Sequence, residues 1–358
     1  MAASKSQDED RMENELQQPA ELISLLKQTW FGIPIQFHQS FWCSSLLLKG
    51  VISFQTHFQA HDNDIILTSV PKTGTTWLKS LLFTIVNRKK LSNDISQHPF
   101  HTKNPHELVL HLEFQYNQNT KNNLENLQPN VRSMNYIDGF SETESNHLTE
   151  VSLPRIFASH LPYISLPKSI QTSKSRIVYI CRNPLDTFVS LWHFFLEFET
   201  SKDNTKPNIE MMEEHLDKYC KGIFPFGPYD DHVIGYWKKS VENPEKVLFL
   251  EYEGLKNDPK YHLKKLAKFV GYPFSEEEEK GNIIDEIIEV CSLKSLKEME
   301  VNKSGKLDPL VKNKALFRKG EVGDWINYLT PLMAKRFDEM QQNVSKAGFS
   351  STYYQPNL

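Results

Sequence analysis

Four runs of consecutive apolar residues, each closed by a turn and followed by a helix-like stretch, constrain this chain more than anything else in it. They are Asp64–Val70, Arg155–Ser159, Ile177–Cys181 and Val247–Glu251. A strand with one wet face alternates polar and apolar residues, whereas a strand covered on both faces reads as a continuous apolar run. Repeated strand-then-helix units predict a doubly wound α/β fold, a central parallel sheet flanked by helices. Ligands of such sheets bind beyond the carboxyl ends of the strands. The residues that follow each run therefore carry the functional reading.

After the first run comes Pro71-Lys72-Thr73-Gly74-Thr75-Thr76-Trp77. A strand-to-helix turn aims free N–H groups and the positive end of the helix dipole at whatever lies above it. Gly74 permits close backbone approach, Lys72 adds a charge, and Thr73, Thr75 and Thr76 add hydroxyl donors. The combination suits a phosphate-like anion. It is not a GxxxxGK[ST] loop, since the lysine precedes the glycine. A bare tight turn with a solvated lysine is the competing reading.

The other three runs end at His160, Arg182 and Tyr252. Arg182 suits a second phosphate, because its planar fork can bind two oxygens at once. Ser190 lies on the helix that Asn183 caps and Pro184 starts, with Asp186 in its first turn. His160 has an ordinary pKa close to neutrality and is the general-base candidate. Near the C-terminus, Arg318, Lys319 and Gly320 form a basic, glycine-flanked loop that could close over a phosphate. Alone, Ser190 reads as an ordinary helix serine, Arg182 equally as a surface ion pair or a ligand contact, and the loop as a solvated turn. Ser275 and Glu278 make a capping box, so the acidic run Glu276–Glu279 reads as a solvated helix start.

Other functions are disfavoured. A net charge of −4 over 358 residues argues against nucleic acid. No run reaches the length of a membrane span. Cys43, Cys181, Cys220 and Cys291 are scattered, as reduced thiols in a cytoplasmic protein would be. His106 and His111 resemble a zinc motif with one residue too many; five apart on a helix, their rings would point away from each other, and no metal is expected. Residues 1–20 read as a disordered acidic tail and 21–358 as one domain. The polar segment 117–150 reads as a lid, a binding loop or an insertion.

The chain resembles the cytosolic sulfotransferases, and specifically their plant-type branch. The resemblance runs from about residue 50 to 345. It rests on PKTGTTW (71–77), SHLP (159–162), YICRNPLDTFVS (179–190), EYEGLKNDP (251–259) and FRKGEVGDW (317–325), with NPHEL (104–108) and NYLTP (327–331) as plant-type features. It implies a metal-free enzyme that uses 3′-phosphoadenosine 5′-phosphosulfate to sulfate a hydroxyl of a small plant metabolite: a flavonol, a brassinosteroid, a hydroxyjasmonate or a desulfoglucosinolate. By matching motif it places the phosphosulfate on a P-loop-like turn, Lys72 to Trp77, with Lys72 also catalytic. Trp77 and Tyr252 would flank the adenine. Arg182, Ser190, Arg318, Lys319 and Gly320 would hold the 3′-phosphate, and His160 would be the base. Animal relatives often carry a lysine where this chain has Ala158. Their dimer segment keeps only Thr330 here, with Ile326, Pro331 and Lys335 in place of its other elements, which leaves dimerisation open. A nucleotide-dependent kinase and an inactive nucleotide-binding relative are the alternatives.

Overall fold

The computed structural model describes residues 27–91, 97–119, 154–203, 208–307 and 311–351. The segment 1–20 and most of 117–150 lie outside these residues. The predicted runs form β4 (Ile65–Ser69), β6 (Ile156–Ser159), β7 (Arg176–Cys181) and β8 (Val247–Glu251). With the two-residue β5 (Leu110–His111) they make a five-stranded sheet in the order β5-β6-β4-β7-β8, parallel throughout.

Successive side chains of these strands enter opposite layers, as the pleat requires. Ile177, Tyr179 and Cys181 of β7 join one apolar cluster, while Val178 and Ile180 join the other. Helices α1 (Leu48–His57), α4 (Pro184–Asp203) and α5 (Tyr229–Glu242) bury residues such as Phe54, Phe188 and Val233 in the first cluster. Helices α2 (Thr75–Asn87), α7 (Pro259–Phe269) and α8 (Ile283–Val290) bury Leu82, Leu266 and Ile287 in the second. Each such aliphatic or aromatic side chain contributes about 1.5–3 kcal/mol of transfer free energy. The helix α3 (Leu112–Asn119) packs against α1, and α6 (Tyr252–Asn257) starts at the end of β8. Both helix-start signals hold: Asn183 Oδ1 accepts from Leu185 N, and Ser275 and Glu278 close a capping box.

Unlike the central sheet, the antiparallel sheet β1-β2-β3 (Lys27–Trp30, Ile33–His38, Phe41–Ser44) has no counterpart in the sequence reading. Its first turn places Phe31 and Gly32 at positive φ, 49° and 66°, the geometry of a tight hairpin turn. Trp30 and Phe41 are fully buried in the α4 side of the core. Backbone bonds between Trp42 and residues 226–227 tie this sheet to the loop whose Phe226 ring lies 5.2 Å from that of His160.

β4 is the middle strand. Its carboxyl end faces those of β6 and β7, so the turn at 70–74, His160 and Arg182 arrive at one crevice.

Candidate active site

The β4–α2 turn is held in a backbone shape that most residues avoid. Lys72 has φ 72°, a left-handed conformation uncommon outside glycine and typical of functional sites. Gly74, at φ 115°, is the N-cap of α2 and has no side chain to cap it. A Cβ on Gly74 would stand 2.8 Å from Tyr252 Cδ2 and 3.2 Å from Ile180 Cδ1. Only glycine fits. The first-turn N–H groups of α2 have no intrahelical carbonyl to meet and remain available to an anion.

The three threonine hydroxyls, expected from the sequence as donors to the anion, each have a partner within the chain. Thr73 Oγ1 donates to Val70 O at 2.8 Å and lies 3.0 Å from Ile180 O. Thr75 Oγ1 bonds Ser69 Oγ, and Thr76 Oγ1 bonds His106 Nε2, each at 2.8 Å. The hydroxyls lock the turn. The N–H groups of the turn are the donors that no side chain caps.

Around the turn the cations converge. Lys72 Nζ donates to Ala315 O at 3.2 Å and lies 4.4 Å above the Phe194 ring. Burial, then the nearby Arg318 and Arg182 charges, pull it down from the lysine range to about 7. Arg182 is 4 % exposed, stacks over the Tyr252 ring at 4.6 Å, pairs with Asp186 at 3.5 Å and donates to Glu321 O. Residues 186, 190 and 194 are each one helical turn apart on α4. Buried Ser190 therefore stands between the Arg182–Asp186 pair and the Phe194–Lys72 contact. Tyr252 Oη donates to Gly320 O at 2.7 Å, and its ring meets the Trp77 edge at 5.5 Å.

The 317–325 loop is anchored from inside. Asp186 accepts from Gly323 N and Trp325 N at 2.8 and 2.9 Å. Arg318 and Lys319 both pair with buried Asp324, which lies well below the usual carboxylate range at about 2. The two cations of the loop thus share one carboxylate.

His160 is 8 % exposed. Its Nδ1 lies 2.8 Å from Ser69 O, which can only accept, so Nδ1 carries the proton and Nε2 keeps the lone pair. Burial is the main reason its pKa falls to about 3, so the ring is neutral across physiological pH. Glu113, pushed up to about 7 by burial, accepts from His160 N at 2.8 Å.

His106 and His111 depart from the sequence reading. They do not share a helix: Asn104 and Glu107 cap the short helix Pro105–Leu108, Val109 is extended, and His111 pairs with Ala158 in the sheet. The rings stack at 5.4 Å instead of pointing apart. What joins them is Lys79, fully buried, whose Nζ lies 2.8 Å from His111 Nδ1, 3.2 Å from His106 Nδ1 and 2.7 Å from Val109 O. Burial drives Lys79 well below the lysine range, while nearby Glu113 opposes that fall. Among the described residues, no group of three or more His, Cys, Asp or Glu side chains could hold a metal ion.

The sequence reading did not single out Lys79, Glu113 or Asp324. A lysine within an otherwise apolar helix and a glutamate beside an apolar strand were the available signals.

The sequence model of the Sulfotransferase domain matches residues 62–348. The chain belongs to the sulfotransferase family. Cytosolic sulfotransferase 15 of Arabidopsis thaliana is 39% identical over 339 residues, covering 94% of this chain and 86% of the relative. Cytosolic sulfotransferase 13 of the same plant is 40% identical over 336 residues, 92% of each. The sulfotransferase thus falls in the plant-type branch that its motifs indicated. An A. thaliana crystal structure, provisionally named a steroid sulphotransferase, superposes with a TM-score of 0.64 at 32% identity, over 95% of this chain and 97% of that one. A mouse sulfotransferase solved with PAP shares the fold, with a TM-score of 0.59 at 24% identity over 87% and 95%.

Proposed function

We propose that this sulfotransferase transfers a sulfuryl group from 3′-phosphoadenosine 5′-phosphosulfate to a hydroxyl of a small plant metabolite, such as a flavonol, a brassinosteroid or a hydroxyjasmonate. One observation carries the reading: His160 is bonded through Nδ1 to Ser69 O, the last residue of the strand that leads into the Lys72 turn. The base and the anion-binding turn are thereby built as one unit.

The residues present fit the donor. Trp77 Nε1 and Arg318 Nε are buried without a hydrogen-bond partner among the described residues. Buried polar groups are nearly always paired, so both call for a partner beyond the described residues, which in this reading is the nucleotide. The first-turn N–H groups and Lys72 hold the phosphosulfate end, and Trp77 and Tyr252 flank the adenine. Arg182, Ser190, Arg318, Lys319 and Gly320 hold the 3′-phosphate. When bound, the donor supplies the sulfuryl group. His160 Nε2 accepts the proton of the attacking hydroxyl, and Lys72 stabilises charge that develops on the leaving oxygen.

Among the described residues no helix is long and apolar enough to cross a membrane. The four free cysteines and the relatives named cytosolic support a cytoplasmic location. Residues 21–358 are read as one domain.

Incubation with radiolabelled donor and a panel of phenols and hydroxylated plant metabolites, with and without chelator, tests the activity. Labelled product that survives chelation supports the transferase; magnesium-dependent phosphoryl transfer would point to a kinase, and no turnover to a binding protein.

The donor assignment has its own test. Arg182→Ala is expected to lower affinity for adenosine 3′,5′-bisphosphate ten- to a hundredfold, since a charge-assisted hydrogen bond contributes roughly 1.5–3 kcal/mol. Affinity for adenosine 5′-monophosphate, which has no 3′-phosphate, should fall little. Calorimetric titration of both nucleotides decides it; equal losses would mean that Arg182 serves the fold through Asp186 and Glu321.

A further inference from the structure

His111 stands beside the base with a donor that no described residue takes up. Its ring lies 4.4 Å from that of His160, the planes 33° apart, and it is 7 % exposed. Lys79 Nζ has three acceptors around it: Val109 O, His106 Nδ1 and His111 Nδ1. They match the three protons of an ammonium, a charge that nearby Glu113 favours against the pull of burial, whereas a neutral amine would take an Nδ1–H from one of the rings on its lone pair. With Nδ1 accepting, the proton of the neutral His111 ring is on Nε2. That Nε2 is buried and has no hydrogen-bond partner among the described residues. Leaving a buried donor unmade costs about 1–3 kcal/mol, so the position calls for an acceptor from elsewhere.

His160 is the mirror case, since its Nδ1 donates and its Nε2 keeps the lone pair. Both Nδ1 atoms are held by the β4–α2 unit, through Ser69 and Lys79, which leaves both Nε2 atoms on the far edges of their rings. One presents an acceptor and its neighbour a donor.

We propose that His111 is a positioning residue that selects acceptors bearing a second oxygen on the carbon next to the reacting hydroxyl. His160 Nε2 takes the proton of the reacting hydroxyl, and His111 Nε2–H donates to the neighbouring oxygen. Oxygens on adjacent carbons lie roughly one hydrogen-bond length apart (~2.8 Å), so two rings at this spacing can each reach one. Donation to the reacting oxygen itself would weaken it as a nucleophile. Phe226, 5.2 Å from the His160 ring, and Phe114, 5.5 Å from the His111 ring, add apolar contacts that suit a ring-borne pair of oxygens. This inference rests on the transferase reading above.

Calorimetric binding of 2-naphthol and 2,3-dihydroxynaphthalene, with and without saturating adenosine 3′,5′-bisphosphate, tests it without turnover. The wild type should bind the diol about tenfold or more tightly than the monohydroxyl compound, the worth of one well-made hydrogen bond. His111→Phe should bring that ratio close to one with 2-naphthol affinity kept. Lys79→Met leaves His111 in place but releases its proton lock, and should lower the ratio too. Equal wild-type affinities, or a ratio that His111→Phe leaves intact, would overturn the proposal; the wild-type comparison does not depend on either variant folding. A wild type that discriminates as expected yet sulfates no acceptor would strike at the transferase reading alone.

Discussion

His160→Ala is expected to lower turnover by about a hundredfold or more while leaving nucleotide affinity nearly intact, the usual worth of a positioned general base. The alanine keeps the backbone N–H that Glu113 accepts from and the carbonyl that accepts from His232 Nε2 at 3.0 Å. The loss therefore reports on the imidazole and not on the loop. The low pKa of His160 also has a consequence whose sign is clear. A depressed histidine pKa keeps the neutral, proton-accepting form down to about pH 3 in the free protein. Activity limited by His160 should then not fall between pH 7 and 5, as it would with an ordinary histidine. Single-turnover rates of wild type and variant, with melting curves to show that both are folded, settle the matter. A variant with near-normal turnover at neutral pH would remove histidine from the mechanism.

The second large effect falls on Lys72. Negative charge on the leaving oxygen grows as the bond breaks, so a cation there stabilises the transition state more than the ground state. Lys72→Met should depress kcat ~10²–10³-fold, on the scale of losing one oxyanion donor, and weaken product-nucleotide binding far less. Protonation supplies a second readout. The free lysine sits at about 7 through burial and its cationic neighbours. A bound polyanion favours the charged form and raises that pKa. Nucleotide binding at pH 8 should therefore take up a proton, and the uptake should vanish well below pH 7, where Lys72 is already charged. Calorimetry at pH 8 in two buffers of different ionisation enthalpy measures it. Buffer-independent heats in the wild type, or the same uptake in Lys72→Met, would show that the lysine does not change protonation on binding.

How far the site could be read in advance depended on the distance over which each signal acts. Continuous apolar runs such as Ile177–Cys181 report double-sided burial directly, so the four long strands and the residues at their ends were legible. Asn183 and Ser275 were legible as caps because a cap is decided within four residues. The hairpin at Phe31-Gly32 carries no Asn-Gly or Asp-Gly signal, and its strands are stabilised by a core contributed by α4, far along the chain. The His106–His111 pair was misread because a spacing argument assumes one helix throughout. Val109, at φ −125° and ψ 101°, breaks it after a single turn. Partner choice was the least legible. Nothing near Thr73 in sequence marks Ile180 O as its neighbour, and nothing near Arg318 says that Asp324 will hold it.

The placement of the cations sets how ionic strength should act on this enzyme. Arg182 lies on the floor of the crevice at 4 % exposure, whereas the Lys319 side chain on the rim is 39 % exposed. Mobile ions screen exposed charges within about 8 Å at physiological salt but reach buried ones poorly. Salt should therefore slow the arrival of a polyanion at the rim while barely hastening its escape from the floor.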